Sequence, residues 1–189
     1  MHHFKIKPKR QDTMKNLLTV LFAIGVLILS AQTIESDFQQ TRFIKASGKS
    51  TESNGKLKFQ NPDKLNMTYT NPAKDYFIID GKTVKINLKG KKATIDTDKN
   101  TVMRTQKNTL LNCIKGNWKE AASDNNADIN VTEKSKEKNV TITAKKANLK
   151  GYSKITLTYR KTDNMLTEMI LEEFNGIVNT YKMSNISKK

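Results

Sequence analysis

An antiparallel β-sandwich or barrel of ten or eleven short strands is the architecture this sequence predicts. Apolar and polar residues alternate with period two along most of the chain beyond residue 37, as strands with one packed and one wet face require. Turn signals of the Asn-Pro, Asp-Gly and lone-Gly kinds separate those runs. The 189 residues, 36% of them hydrophobic, suffice for one ordinary core. They are too polar for a polytopic membrane protein and too apolar for a disordered chain.

The first segment is not part of that domain. Leu17 to Leu29 is an uncharged apolar run, preceded by Lys5, Lys7, Lys9, Arg10 and Lys15 and followed by Ser30 and Ala31. A basic leader, a short apolar stretch and a small residue at its end make an export signal. Thirteen apolar residues are too few to span a bilayer, which takes about 20. Residues 1–31 are therefore read as a signal peptide cut after Ala31, with Met14 the more natural start, and residues 32–189 as a single domain. No cysteine follows the apolar run to carry a lipid anchor, so the expected product is soluble and outside the cytoplasm.

Along that domain, Phe38 to Ala46 forms the first apolar run, and Lys56–Phe59 and Leu65–Tyr69 alternate strictly. Asn61-Pro62-Asp63 and Asn71-Pro72 turn the chain on either side of the third strand. Tyr76–Ile79 ends at Asp80-Gly81, a two-residue hairpin signal. Val84, Ile86 and Leu88 then alternate with polar residues, and Gly90 leads into Ala93–Asp96. The period changes at Thr105–Gly116: Leu110, Leu111 and Ile114 form a helical stripe, with Asn108 or Thr109 as N-cap and Gly116 as the stop. Asp124-Asn125-Asn126 reads as a loop. Alternation resumes in Ile129/Val131, Val140/Ile142/Ala144, Ile155/Leu157/Tyr159, Met169/Leu171 and Val178–Met183, with the charged Glu133–Lys138 as a hairpin tip.

Composition removes most chemistry. Both histidines, His2 and His3, lie in the leader, so the domain has no Ser-His-Asp triad, no Cys-His pair and no histidine-ligated metal site. Cys113 alone makes neither a disulfide nor a thiolate cluster. Gly48-Lys49-Ser50 mimics the end of a phosphate-binding loop, but the glycine that motif needs is Phe43. Asp96, Asp98, Asp124, Glu172 and Glu173 are the carboxylates expected of hairpins and strand edges. Neither an enzyme, nor a cofactor, nor a metal site is expected.

The chain carries a formal charge of +16; the leader takes five of the 34 basic residues and one of the 18 acidic ones, so the domain stays strongly basic. Only Arg10, Arg42, Arg104 and Arg160 are arginines. Lysine is a solvated point charge, whereas arginine suits bidentate phosphate and base recognition. Such a surface is attracted to lipid headgroups or an acidic partner, and nucleic acid is not expected. Met67, Met103, Met165, Met169 and Met183 add adaptable apolar surface.

One stretch resembles a known family. Asp37-Phe38-Gln39-Gln40-Thr41 is followed by GKLKFQNPDKLNMTYTNP over Gly55–Pro72, and then by Phe77-Ile78-Ile79-Asp80-Gly81-Lys82. This order is similar to that of the periplasmic outer-membrane lipoprotein carrier (LolA) family: an F-x-Q strand, G-x-L-x-x-x-x-P, an apolar strand closed by a second proline, and a strand ending in D-G-K. Leu110-Leu111-Asn112-Cys113-Ile114 falls where the family has an apolar helical segment. Asn61 stands where relatives commonly have an arginine that holds the lid shut, and Met67 where they often have tryptophan. Only Gln32–Asp37 precede Phe38, which resembles short Bacteroidetes-type forms.

The resemblance implies an unclosed antiparallel β-barrel of about eleven strands, with short helices as a lid over an apolar cavity. It implies a monomeric periplasmic chaperone that carries acylated lipoproteins from the inner to the outer membrane. The partners implied are an inner-membrane lipoprotein-releasing transporter, an outer-membrane acceptor and a transiently touched membrane surface. Strand parity within that frame makes Leu57, Phe59, Leu65, Met67, Tyr69, Ile79, Val84 and Ile86 the expected cavity lining, with Leu110, Leu111, Ile114 and Asn61 on the lid side. The alternative is an envelope sensor or regulator on the same barrel, binding lipid or lipoprotein as a signal. A basic polyanion-binding module comes third.

Overall fold

The computed structural model describes residues 32–146 and 151–189; the proposed leader and its cleavage site lie outside them. Eleven strands are described: β1 Thr33–Ile44, β2 Lys49–Gln60, β3 Lys64–Asn71, β4 Tyr76–Asp80, β5 Thr83–Leu88, β6 Lys91–Asp96, β7 Ala127–Glu133, β8 Glu137–Ala144, β9 Tyr152–Arg160, β10 Leu166–Glu173 and β11 Ile177–Lys188. Two helices, α1 Thr101–Lys115 and α2 Trp118–Asp124, fall between β6 and β7.

Hairpin chemistry sets the order β6-β5-β4-β3-β2-β1-β11-β10-β9-β8-β7 in one antiparallel sheet. At the centre β1 pairs with both β2 and β11, so the two ends of the domain close on each other. Among the described residues the edge strands β6 and β7 do not pair with each other. The chain leaves the sheet at one edge and re-enters it at the other through α1 and α2, which makes the architecture an unclosed barrel with helices over its inner face. Residues Ala31–Lys189 form a compact unit with all eleven strands and their core.

The turns follow their residues. Lys89 (φ 53°) and Gly90 (φ 79°) both take positive φ between β5 and β6, as a type I′ hairpin demands. Between β4 and β5 the turn residues are Gly81 and Lys82, one place later than the Asp80-Gly81 expected, and Asp80 pairs with Thr83. Only Gly81 needs positive φ there (56°), which glycine provides without a steric penalty.

The helix begins four residues earlier than its apolar stripe indicated. Asn100, not Asn108 or Thr109, is the N-cap; its Oδ1 accepts the Met103 N–H at 3.0 Å. Thr109 lies inside the helix and donates its hydroxyl to the Thr105 carbonyl at 2.8 Å, the bond a mid-helix threonine makes when it does not cap. Gly116 (φ 79°) ends α1 as expected, with Asn117 N–H on Asn112 O and Gly116 N–H on Cys113 O, a Schellman closure. The short α2 was not foreseen. Its helix-favouring Lys119-Glu120-Ala121-Ala122 buries only Ala121 and Ala122, too little to show a period.

One face of the sheet is packed and the other is wet. Cross-strand pairs Phe59↔Leu65, Leu65↔Ile79 and Ile79↔Val84 form an apolar row across β2–β5, and Val140↔Leu157, Ile142↔Ile155 and Leu157↔Met169 form another across β8–β10. On the outer face Lys58 pairs with Glu35 at 2.9 Å and Lys64 with Asp80 at 3.3 Å, exposed ion pairs of small worth.

Gly55 is required by contact. It faces Phe38 on β1 and Tyr69 on β3. The Phe38 ring lies over it, 5.2 Å from the Tyr69 ring in an edge-on arrangement. A β-carbon at position 55 would sit 2.5 Å from Phe38 Cζ and closer still to the Thr68 carbonyl oxygen. Gly55→Ala is therefore expected to cost about 1–3 kcal/mol through overpacking. Thermal unfolding should fall by roughly 2–4 °C per kcal/mol in a domain of this size. An unchanged melting temperature would contradict the assigned contact.

Candidate functional site

The residues singled out for a cavity lie on one face. Leu57, Phe59, Leu65, Met67, Tyr69, Ile79 and Val84 are all buried, and Ile86 packs partly buried against them. Leu111 and Ile114 of α1 are buried in the same cluster, and Leu110 packs partly buried at its side. Asn61 lies in the β2–β3 turn, whose Pro62 and Asp63 border a cleft with Lys107, Asn108 and Leu111 of α1, and its backbone N–H donates to the Gln32 carbonyl at 2.9 Å.

Half of this face was not assigned from the sequence. Val140, Ile142, Ile155, Leu157, Tyr159, Met169 and Leu171, from β8–β10, join the same core. Their alternation was legible, but not that it faced the same helix. All five methionines named above pack into or against it. At the sheet's β7 edge, Ile129 and Val131 continue the row and remain 39% and 38% exposed.

Polar bonds position α1 over that face. The Tyr159 hydroxyl on β9 donates to the Cys113 carbonyl near the end of α1 at 2.8 Å, inside the core. Lys107 Nζ donates to the Gly81 carbonyl of the β4–β5 turn at 3.0 Å. Asn125 Nδ2 donates to Thr109 Oγ1 and to the Ala121 carbonyl, both at 2.7 Å, which joins the two helices. The Cys113 carbonyl lacks the i+4 donor of a mid-helix residue and takes the Tyr159 hydroxyl beside the Gly116 N–H.

Further along the inner face lies a hydrogen-bonded polar group. Tyr69 donates to Gln40 Oε1 at 2.8 Å, and Gln40 Nε2 donates to Tyr181 at 3.1 Å and to Asn179 Oδ1 at 3.2 Å. Burial pushes the Tyr69 phenol up to about 12 and those of Tyr159 and Tyr181 well above their ordinary range. The Cys113 thiol is likewise pushed up to about 12 by burial. These groups stay neutral near pH 7, and among the described residues no cluster of His, Cys, Asp and Glu is placed to hold a metal ion. The inner face thus presents apolar side chains and neutral polar groups.

Spaces border the covered face: between the start of α1 (Thr101, Val102, Thr105) and Tyr152 and Phe174 a cleft holds about 250 Å³. A crevice between Ile34, Ser36, Leu57, Ile114, Met165 and Met183 encloses about 10 Å³, around the space one water needs.

An open β-barrel whose apolar face is covered by a helix defines the class. Within it, the chain matches over residues 29–189 the family described as outer membrane lipoprotein carrier protein LolA, and it belongs to that family. No curated protein matches the chain. Among solved structures, it is similar to a Pseudomonas aeruginosa MucA/MucB complex at 10% identity and a TM-score of 0.50, covering 83% of this chain and 52% of that one. It is also similar to a LolA superfamily protein from Nitrosomonas europaea (8% identity, TM-score 0.39, 82% and 85% covered). A third is the Mycobacterium tuberculosis lipoprotein LppX (10% identity, TM-score 0.36, 80% and 85% covered). At these identities the likeness is one of fold.

Proposed function

We propose that this protein is a periplasmic carrier that shelters the acyl chains of lipoproteins on their way from the inner to the outer membrane. Family membership supports the class of cargo. The observation that carries the reading is the apolar inner face of β2–β5 and β8–β10, covered by a helix that is anchored through a few polar bonds.

The physical problem is cost. Each acyl CH₂ exposed to water costs about 0.8 kcal/mol, so a multiply acylated protein does not cross an aqueous compartment unaided. In the seated state Leu111, Cys113 and Ile114 cover the face. When α1 withdraws, acyl chains replace those side chains, and the apolar area exposed by the helix offsets part of the gain. That opposition keeps uptake reversible, which a carrier needs in order to unload. Leu57, Phe59, Leu65, Met67, Tyr69, Ile79, Val84 and Ile86 form one wall and the β8–β10 residues the other. Tyr159 takes the anchoring role that relatives give to an arginine at the place of Asn61. Loading by an inner-membrane transporter and delivery to an outer-membrane acceptor complete the cycle, with export directed by residues 1–31. No covalent step is involved.

Mass spectrometry of the protein purified from its own periplasm, first native and then after organic extraction, tests this. A bound diacyl or triacyl lipoprotein is expected, together with release of lipoproteins when the purified protein is added to spheroplasts. Free lipid alone, with no release from spheroplasts, would overturn the carrier reading in favour of a lipid sensor on the same fold.

A further inference from the structure

The β5–β6 hairpin ends in an uncompensated basic tip. Lys85, Lys89, Lys91 and Lys92 are exposed on it, and Lys74 is exposed on the adjoining β3–β4 loop. None of these five forms an ion pair among the described residues. Asp75, next to Lys74, is turned inward and buried, where its Oδ1 accepts the Lys89 N–H at 2.9 Å. Asn87 Nδ2 donates to the Lys74 carbonyl at 2.7 Å. These two bonds tie loop and hairpin into one platform, so the lysines are presented on fixed backbone.

An apolar side chain stands among them. Leu88 follows Val84 and Ile86 along the inner-face row of β5 and faces Lys91 across the turn, yet it is 44% exposed. The β7–β8 tip provides the contrast: its lysines alternate with Glu133 and Glu137, and Lys161 pairs with Glu133 at 2.8 Å. At the β7–β8 tip three lysines face two glutamates, whereas the four lysines of the β5–β6 hairpin have no ion-pair partner among the described residues.

We propose that the β5–β6 tip docks the protein on anionic phospholipid surfaces, with the lysines against headgroup phosphates and Leu88 inserted below them. A hairpin tip is too small for the roughly 800 Å² per partner of a stable protein interface. A lipid surface requires only point charges and a shallow apolar anchor, and lysine's compact ammonium suits it. Leu88 also marks where the apolar row runs out to solvent, so docking there brings that end of the face to the bilayer. Docking of this kind needs no cargo, so its failure would leave the carrier reading intact.

The test is co-sedimentation of segment 32–189 with vesicles of phosphatidylglycerol and phosphatidylethanolamine, against vesicles of phosphatidylcholine alone. Binding is expected to the anionic vesicles only and to weaken as salt rises. Lys89→Gln/Lys91→Gln/Lys92→Gln should weaken it about 100-fold. Lys134→Gln/Lys136→Gln/Lys138→Gln, which removes the same charge from the β7–β8 tip, should change it by no more than about twofold. Leu88→Ser, at constant charge, should weaken it about tenfold. Equal losses in the two triple variants would reduce the effect to net charge and overturn the proposal. Absence of binding to anionic vesicles would also overturn it, and would redirect the tip to an acidic protein surface.

Discussion

Replacing Tyr159 by phenylalanine is expected to raise the rate at which Cys113 reacts with a thiol reagent about tenfold, from the loss of one buried hydrogen bond. The Tyr159 hydroxyl is the bond from the sheet's inner face to the last turn of α1. Phenylalanine keeps the ring and its packing, so the change isolates the anchor. Cys113 is the natural reporter. It is 0% exposed, and burial pushes its thiol up to about 12, so it does not react while α1 is seated. Modification then measures how often the helix leaves the sheet, a local opening below the free energy of global unfolding. The thermal transition should fall only slightly, which separates helix release from loss of the whole domain. A rate unchanged by Tyr159→Phe would show that this hydroxyl does not hold the helix down.

How much of this was legible in the sequence depends on the range of the interaction. Leu57/Phe59, Leu65/Met67/Tyr69 and Val84/Ile86 declare their face because lysines, asparagines and threonines alternate with them, and hairpin turns fix their register locally. The same alternation in Val140/Ile142 and Ile155/Leu157 gave strands but not their place beneath α1, because the sheet closes through β1 and β11, the two ends of the domain. The start of α1 was missed because Val102 is exposed and Met103 only partly packed, which leaves the first turn without an apolar stripe. The anchor was hidden for a different reason: Tyr159 and Cys113 are 46 residues apart, and no local pattern distinguishes an anchoring tyrosine from a core one. The group of Gln40, Tyr69 and Tyr181 was likewise visible only in three dimensions.

The second large effect concerns the helix itself. If acyl chains occupy the space that α1 fills, a helix that cannot leave the sheet cannot load. Lys107 reaches the β4–β5 turn, where its Nζ meets the Gly81 carbonyl at 3.0 Å. Lys82, the next residue of that turn, and Lys107 are exposed or half-buried and stand outside the core. Cysteines at these two positions can therefore be joined by a short reducible linker, while Cys113 stays protected. Binding of a synthetic diacylglyceryl peptide to segment 32–189 of this double variant, measured with the linker closed and again after reduction, tests helix displacement most directly. The account predicts loss of binding when α1 is tied and recovery to the unmodified level on reduction. Equal binding in the tied and the reduced protein would contradict it, and would place the acyl chains somewhere other than beneath α1.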